Sequence, residues 1–173
     1  MNTSIEILNT TKSDLNLIFS LFDESIIYQR KKGYPVWDNY DKAAIIRDIE
    51  TENQYKVVVG SNVAMIFSVC YSDKIIWRER DQGDAIYLHR IVVNPDFKGQ
   101  RLFGAILQWA VDTAEIRGLK FVRMDTWASN KNIVEYYVGF GFQIVGNITT
   151  PDTEALPVHN RNLALTLLEY PVA

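Results

Sequence analysis

The spacing of hydrophobic positions changes several times along the chain, and each change marks an element. Ile5 and Ile7 flank Glu6, the alternation of a short strand. Thr11 with Asp14 three residues later predicts a capping box, and Leu15, Ile18, Phe19, Phe22 and Ile26 follow at helical spacing. Gly33, just before Tyr34-Pro35, predicts where that helix stops. An aromatic loop (Tyr34, Trp37, Tyr40) leads to Asp41, which is expected to cap a second helix reaching Glu52. The period then drops to two. Residues 55–59 and 63–71 read as strands, and Gly60-Ser61-Asn62 between them is hairpin chemistry. The polar stretch 74–84 is expected to be a loop or a strand extension. Ala85–Val93, rich in β-branched residues, reads as a strand that ends at Asn94-Pro95-Asp96.

Residues 101–117 carry the clearest helical pattern, with Phe103, Ile106, Leu107, Ala110 and Ala114 on one face and Gly118 placed to end it. Residues 121–127 read as a strand, 130–138 as a short helix, and 141–148 and 163–169 as closing strands around a polar loop. Strand, helix and strand in succession predict a βαβ unit with parallel strands. The expected fold class is mixed α/β, one domain over residues 1–173.

Composition narrows the function. With 47% hydrophobic and 23% charged residues in 173, the chain is an ordinary globular sequence rather than a disordered or fibrous one. Its 18 basic against 21 acidic residues give a net charge of −3, which argues against a nucleic-acid partner. Cys70 is the one cysteine, so no intramolecular disulfide forms, and with two histidines a structural zinc site is disfavoured. No metal is expected. The first residues lack a basic and then apolar leader, and no apolar run approaches the ~20 residues that span a bilayer. The expectation is a cytoplasmic protein with no membrane partner.

The junction Val93-Asn94-Pro95-Asp96-Phe97-Lys98-Gly99-Gln100-Arg101-Leu102-Phe103-Gly104 carries candidate chemistry. A basic, glycine-containing loop entering a helix N-terminus suits an anion, since free N–H groups and the helix dipole face the ligand. Gly99 and Gly104 have P-loop spacing, but Ala105-Ile106 replace Lys-Ser/Thr, and no Gly-x-Gly-x-x-Gly occurs, so NTPase and Rossmann sites are disfavoured. The alternative is that Gly99 serves a turn and the basic residues are a solvated helix start.

Val93-x-Pro95, then Lys98-Gly99 and Gly104 before an amphipathic helix, resembles the acyl-CoA pyrophosphate loop of the GCN5-related N-acetyltransferases, whose pattern is Arg/Gln-x-x-Gly-x-Gly/Ala. Asn130, Ile133, Tyr137 and Gly141-Phe142 resemble that family's later Asn…Tyr…Gly-Phe signature. Lys98 stands at the Arg/Gln position, while Arg101 and Phe103 replace the two glycines. The resemblance implies a central, mostly antiparallel sheet with one splayed parallel βαβ pair and flanking helices. It implies transfer of an acetyl group from acetyl-CoA to a primary amine of a small molecule or peptide. A non-catalytic acyl-CoA-binding or sensor module on the same fold is the alternative.

Carried over residue by residue, the resemblance implies that Ile91, Val92 and Val93 offer main-chain groups to pantetheine and the thioester carbonyl. Lys98, Gly99, Gln100, Arg101, Leu102, Phe103, Gly104 and Ala105 would cradle the pyrophosphate, with Asn130 near the pantetheine arm. Tyr137 matches the tyrosine that protonates the leaving thiolate, or is a core residue. For the base, His89 competes with a core-edge reading, and strict alternation puts it on the face of Tyr87 and Ile91. Asp125 is the other candidate base or an ion-pair partner of Arg123, and water is a third route. Tyr28, Tyr34 and Trp37 form a candidate aromatic wall for the amine, though Trp37 reads equally well as a loop clamp. Exposed β edges leave a homodimer open.

Overall fold

The computed structural model describes residues 3–34 and 39–173. Its strands are β1 (Ile5–Asn9), β2 (Gln54–Val59), β3 (Asn62–Cys70), β4 (Ala85–Val93), β5 (Phe121–Trp127), β6 (Gln143–Thr149) and β7 (Ala164–Pro171). Its helices are α1 (Leu15–Lys32), α2 (Lys42–Glu50), α3 (Lys74–Trp77), α4 (Phe103–Arg117) and α5 (Lys131–Val138). The strands make one mixed sheet in the order β1-β2-β3-β4-β5-β7-β6. β4 and β5 are parallel, Ala85 opposite Phe121 and Tyr87 opposite Arg123, as the βαβ pattern predicts. The β1-β2, β2-β3, β5-β7 and β6-β7 pairs are antiparallel. The chain divides into two compact units, Met1–Val69 with Leu88–Trp109 and Cys70–Tyr87 with Ala110–Ala173.

In the first unit the local signals act as expected. The Thr11 N–H donates to Asp14 Oδ2 at 2.8 Å, closing the capping box on a 3₁₀ turn that runs into α1. Lys56 of β2 holds the same carboxylate at 2.9 Å. Gly33 ends α1 with a left-handed φ of 70°, open to glycine without steric cost. Asp41 caps α2 by accepting the Ala44 N–H at 2.9 Å. The faces so directed meet in one core of Ile18, Leu21, Phe22, Ile45, Ile49, Ile66 and Val92. Burying each such side chain is worth about 1.5–3 kcal/mol. Tyr40 stacks on Phe22 at 4.9 Å and donates to Asp23 Oδ1 at 2.8 Å, fastening the chain ahead of α2 to α1.

The second unit corrects one expectation. Residues 74–84 are not a plain loop or strand extension: they hold α3 and a 3₁₀ turn, Arg78–Arg80. Four helical residues are too few to show a period, and the segment is set by its anchor Trp77, 1% exposed and packed with Ala85, Tyr87 and Leu167. Arg78 and Arg80 then donate to the carbonyls of Thr149 and Val145 on β6, at 3.2 and 2.9 Å.

Beneath this segment lies a buried polar chain. Arg123 is 4% exposed. It donates to Glu169 Oε2 and to the Arg80 carbonyl, each at 2.8 Å, and to the Tyr87 hydroxyl at 3.2 Å. Tyr87 donates in turn to Asp81 Oδ1 at 3.0 Å, whose other oxygen accepts from the Ser72 hydroxyl and the Asp73 N–H at 2.8 Å. Burial alone raises the Asp81 pKa, but these donors outweigh it and hold the carboxyl below its ordinary value. A carboxylate lowered on folding contributes stability above its unfolded pKa and loses it as pH falls through the folded one. Asp81→Asn should therefore cost about 1–3 kcal/mol at pH 7, with the gap to wild type closing below about pH 4. Urea unfolding of both proteins across that pH range checks this; a gap independent of pH would exclude the charge as the cause.

Candidate active site

β4 is not a regular strand to its end. Arg90 sits at φ 51°, in the left-handed region that disfavours side-chain-bearing residues by about 1–3 kcal/mol. Its guanidinium donates to Asp48 Oδ2 of α2 at 2.8 Å, a bond that helps hold this conformation. The strict alternation expected to align Tyr87, His89 and Ile91 therefore does not carry through Arg90 to Ile91. His89 is half-buried just before the kink. Beyond it Val92 is buried in the core, and Ile91 and Val93 are half-buried. Asn94 fixes the strand exit, its N–H donating to the Ala64 carbonyl and its Nδ2 to the Val63 carbonyl, each at 2.9 Å.

The loop that follows turns twice through the left-handed region, at Gly99 (φ 80°) and Arg101 (φ 53°). A Cβ built on Gly99 meets nothing within 4 Å, so backbone conformation rather than space calls for glycine there. Arg101 adopts a glycine's conformation without being glycine, so α4 starts at Phe103 rather than at residue 101. Phe103 is 1% exposed, and a buried ring leaves the solvent side of the loop clear. The N–H groups of Gly104 and Ala105 bond the Arg101 and Leu102 carbonyls at 3.2 and 3.0 Å. Among the described residues, those of Gly99 and Leu102 have no protein acceptor. Gln100 is exposed, its N–H donating to the Phe97 carbonyl at 3.4 Å.

Lys98 and Tyr28, assigned by sequence to opposite ends of the ligand, are neighbours. The Lys98 ammonium lies 2.8 Å from the Tyr28 ring centroid. Partial burial, with the charge of Lys32 added, lowers its pKa. Tyr34 is exposed, its N–H tied to the Gln29 carbonyl at 3.0 Å behind Gly33. Trp37 lies outside the described residues.

In the second unit, Asn130 caps α5, its Oδ1 accepting the Ile133 N–H at 3.3 Å. Tyr137 is 7% exposed, edge-on to Tyr136 and Phe142 with centroids at 5.4 and 6.3 Å. Burial, then the neighbouring Tyr136, push its phenol well above the ordinary value. Gly141 has φ 106°, and a Cβ there would come 3.0 Å from the Tyr170 ring, so both conformation and space require glycine before Phe142. Asp125 is half-buried on β5, opposite Leu167 of β7. Arg123, two residues earlier on β5, pairs with Glu169 at 2.8 Å and joins the buried chain around Tyr87. Lys32 and the Arg90–Asp48 pair escaped the sequence reading. Lys32 ends the run Arg30-Lys31-Lys32, which by itself reads as a complement to the α1 dipole.

The sheet, with one parallel pair and flanking helices, is the fold of an acetyltransferase. The acetyltransferase (GNAT) family model matches residues 22–142, and the chain belongs to that family. Among curated relatives, the uncharacterized N-acetyltransferase YesJ of Bacillus subtilis is 30% identical over 77% of this chain and 78% of its own. The uncharacterized N-acetyltransferase MJ1207 of Methanocaldococcus jannaschii is 28% identical over 79% of this chain, and the match spans 60% of that relative's length. Of solved structures, a GNAT-family acetyltransferase from Listeria monocytogenes superposes with TM-score 0.78 at 19% identity, covering 99% of this chain and 98% of its own. YncA of Salmonella typhimurium, a putative acetyltransferase solved with acetyl-CoA, superposes with TM-score 0.67 at 15% identity, covering 99% and 95%. No helix among the described residues is long and apolar enough to cross a membrane.

The strain at Arg101 has a measurable consequence. Arg101→Gly should raise stability by about 1 kcal/mol and Arg101→Val should lower it by at least that, since a β-branched residue tolerates positive φ least. Thermal unfolding of the two variants beside wild type checks the order; an Arg101→Gly variant less stable than wild type would mean that Arg101's side-chain contacts outweigh the backbone strain.

Proposed function

We propose that this chain is an N-acetyltransferase that moves the acetyl group of acetyl-CoA directly to a primary amine of a small molecule or peptide, in the cytoplasm. The observation that carries the proposal is the loop between β4 and α4. It turns at Gly99 and Arg101 and, among the described residues, leaves the Gly99 and Leu102 N–H groups without protein acceptors ahead of a helix N-terminus. Free N–H donors beside a helix start support a pyrophosphate site there. Replacement of the family glycines by Arg101 and Phe103 is what a non-catalytic sensor would rest on. A left-handed Arg101 and a buried Phe103 support an intact loop path, and we favour the enzyme.

In the proposed reaction the neutral amine attacks the thioester carbonyl carbon, whose oxygen takes up charge toward main-chain donors of residues 91–93. The kink at Arg90, which re-aims that backbone, supports this role. The C–S bond then breaks and the sulfur receives a proton, while the amine proton passes to His89, Asp125 or water. Tyr137 is assigned to the sulfur. Its raised pKa keeps the phenol protonated at neutral pH, but full transfer to a thiolate of ordinary pKa is then uphill. Its contribution is a hydrogen bond that stabilises the departing thiolate, and the proton that ends on sulfur is the one the amine releases, relayed by His89, Asp125 or water.

Acetyl-CoA should raise the melting temperature, and thiol release across a panel of amines and peptides should identify acceptors. No shift at millimolar acetyl-CoA overturns the co-substrate, and a shift without turnover favours the sensor. Tyr137→Phe should lower kcat by about a hundredfold with little change in acetyl-CoA affinity. Ionisation of Tyr137 should not depress the wild-type rate below about pH 10. Weakened affinity with unchanged kcat would make it a packing residue.

A further inference from the structure

Two ammonium groups share one aromatic ring in the first unit. Lys98 Nζ lies 2.8 Å and Lys32 Nζ 5.9 Å from the Tyr28 centroid, one from the loop after β4 and one from the last residue of α1. All three side chains are exposed, and Arg30 and Lys31 belong to the same basic helix end. The ring quadrupole attracts each cation, but the two cations repel one another, and Lys32 is one cause of the lowered Lys98 pKa. Solvated lysines with four-carbon stems are free to spread apart; these are gathered at one ring in a protein of net charge −3. A doubly charged anion at this point converts the repulsion into attraction on both sides.

We infer that Tyr28, Lys32 and Lys98 form a phosphomonoester subsite that recognises the 3′-phosphate at the nucleotide end of coenzyme A. The inference rests on the acetyl-CoA reading above and adds a specificity determinant to it. Coenzyme A carries two kinds of phosphate. Each phosphorus of its pyrophosphate bears one charge and suits loop N–H donors, whereas the terminal phosphomonoester bears about −1.5 to −2 at pH 7. Two gathered ammonium groups match the second kind. Tyr28 holds Lys98 in place by its ring face, a role different from the amine-pocket wall.

Calorimetric titration of coenzyme A and 3′-dephospho-coenzyme A into wild type, Lys32→Gln and Lys32→Arg tests this. Wild type should bind coenzyme A at least about tenfold more tightly than the dephospho form, the scale of a charge-assisted contact. Lys32→Gln should lose most of that ratio by weakening coenzyme A alone, and Lys32→Arg should keep it. Equal affinity of wild type for the two ligands overturns the subsite while leaving the acetyl-CoA reading intact. So does a Lys32→Gln variant that weakens both by the same factor. If neither ligand binds wild type, the acetyl-CoA reading itself falls, and the subsite with it. Matching melting temperatures of the three proteins establish that the comparison is of binding and not of folding.

Discussion

The path of the main chain from β4 into α4 is the constraint on which the candidate site depends. Three residues along it, Arg90, Gly99 and Arg101, hold left-handed φ values, and two of them carry side chains that disfavour it. Such a path persists only where its surroundings over-determine it. Here the Arg90–Asp48 bond secures the first turn, Asn94 secures the strand exit through Ala64 and Val63, and the buried Phe103 secures the start of α4. The loop is a strained connection clamped at both ends. That combination suits an anion site, because N–H groups held in place need no reorganisation when the ligand arrives.

Charge is handled in two contrasting ways. Arg123 is surrounded by acceptors from Glu169, the Arg80 carbonyl and Tyr87, and that chain ends at an Asp81 carboxylate with its own donors. Every bond in it is internal, and its effect is to hold α3 and the turn after it in place. Lys98 and Lys32 share one ring, and the charge of Lys32 acts on Lys98. The satisfied group reads as architecture and the mutually repelling pair as a place for a ligand, although both were basic residues of equal standing in the sequence. Tyr137 belongs with the first kind in its burial and with the second in its proposed use, since a phenol kept protonated by its surroundings is useful only to a partner that brings charge.

Much of the architecture was legible because it is local. The Thr11–Asp14 box, the Asp41 cap, the left-handed Gly33 and Gly118, and the strands 85–93 and 121–127 follow from short-range stereochemistry and period. The signature glycines also carried physical content: Gly99 needs its φ, and Gly141 needs both its φ and its missing Cβ beside Tyr170. The α3 turn was hidden, because four residues show no periodicity and its anchor, Trp77, acts through residues distant in sequence. The kink at Arg90 was hidden too, since nothing in a β-branched strand announces a left-handed arginine.

The sequence by itself determined the elements other than α3 and its turn, their order, the parallel pair and the family, since caps, turns, period and motif spacing are written in neighbouring residues. Tertiary structure alone decided the partners. It drew Arg123 to Glu169, set Arg90 against Asp48, and brought Tyr28 and Lys32 to Lys98. A side chain chooses among charges of equal sign and reach by which of them folding carries within a few ångströms and how far it strips them of water.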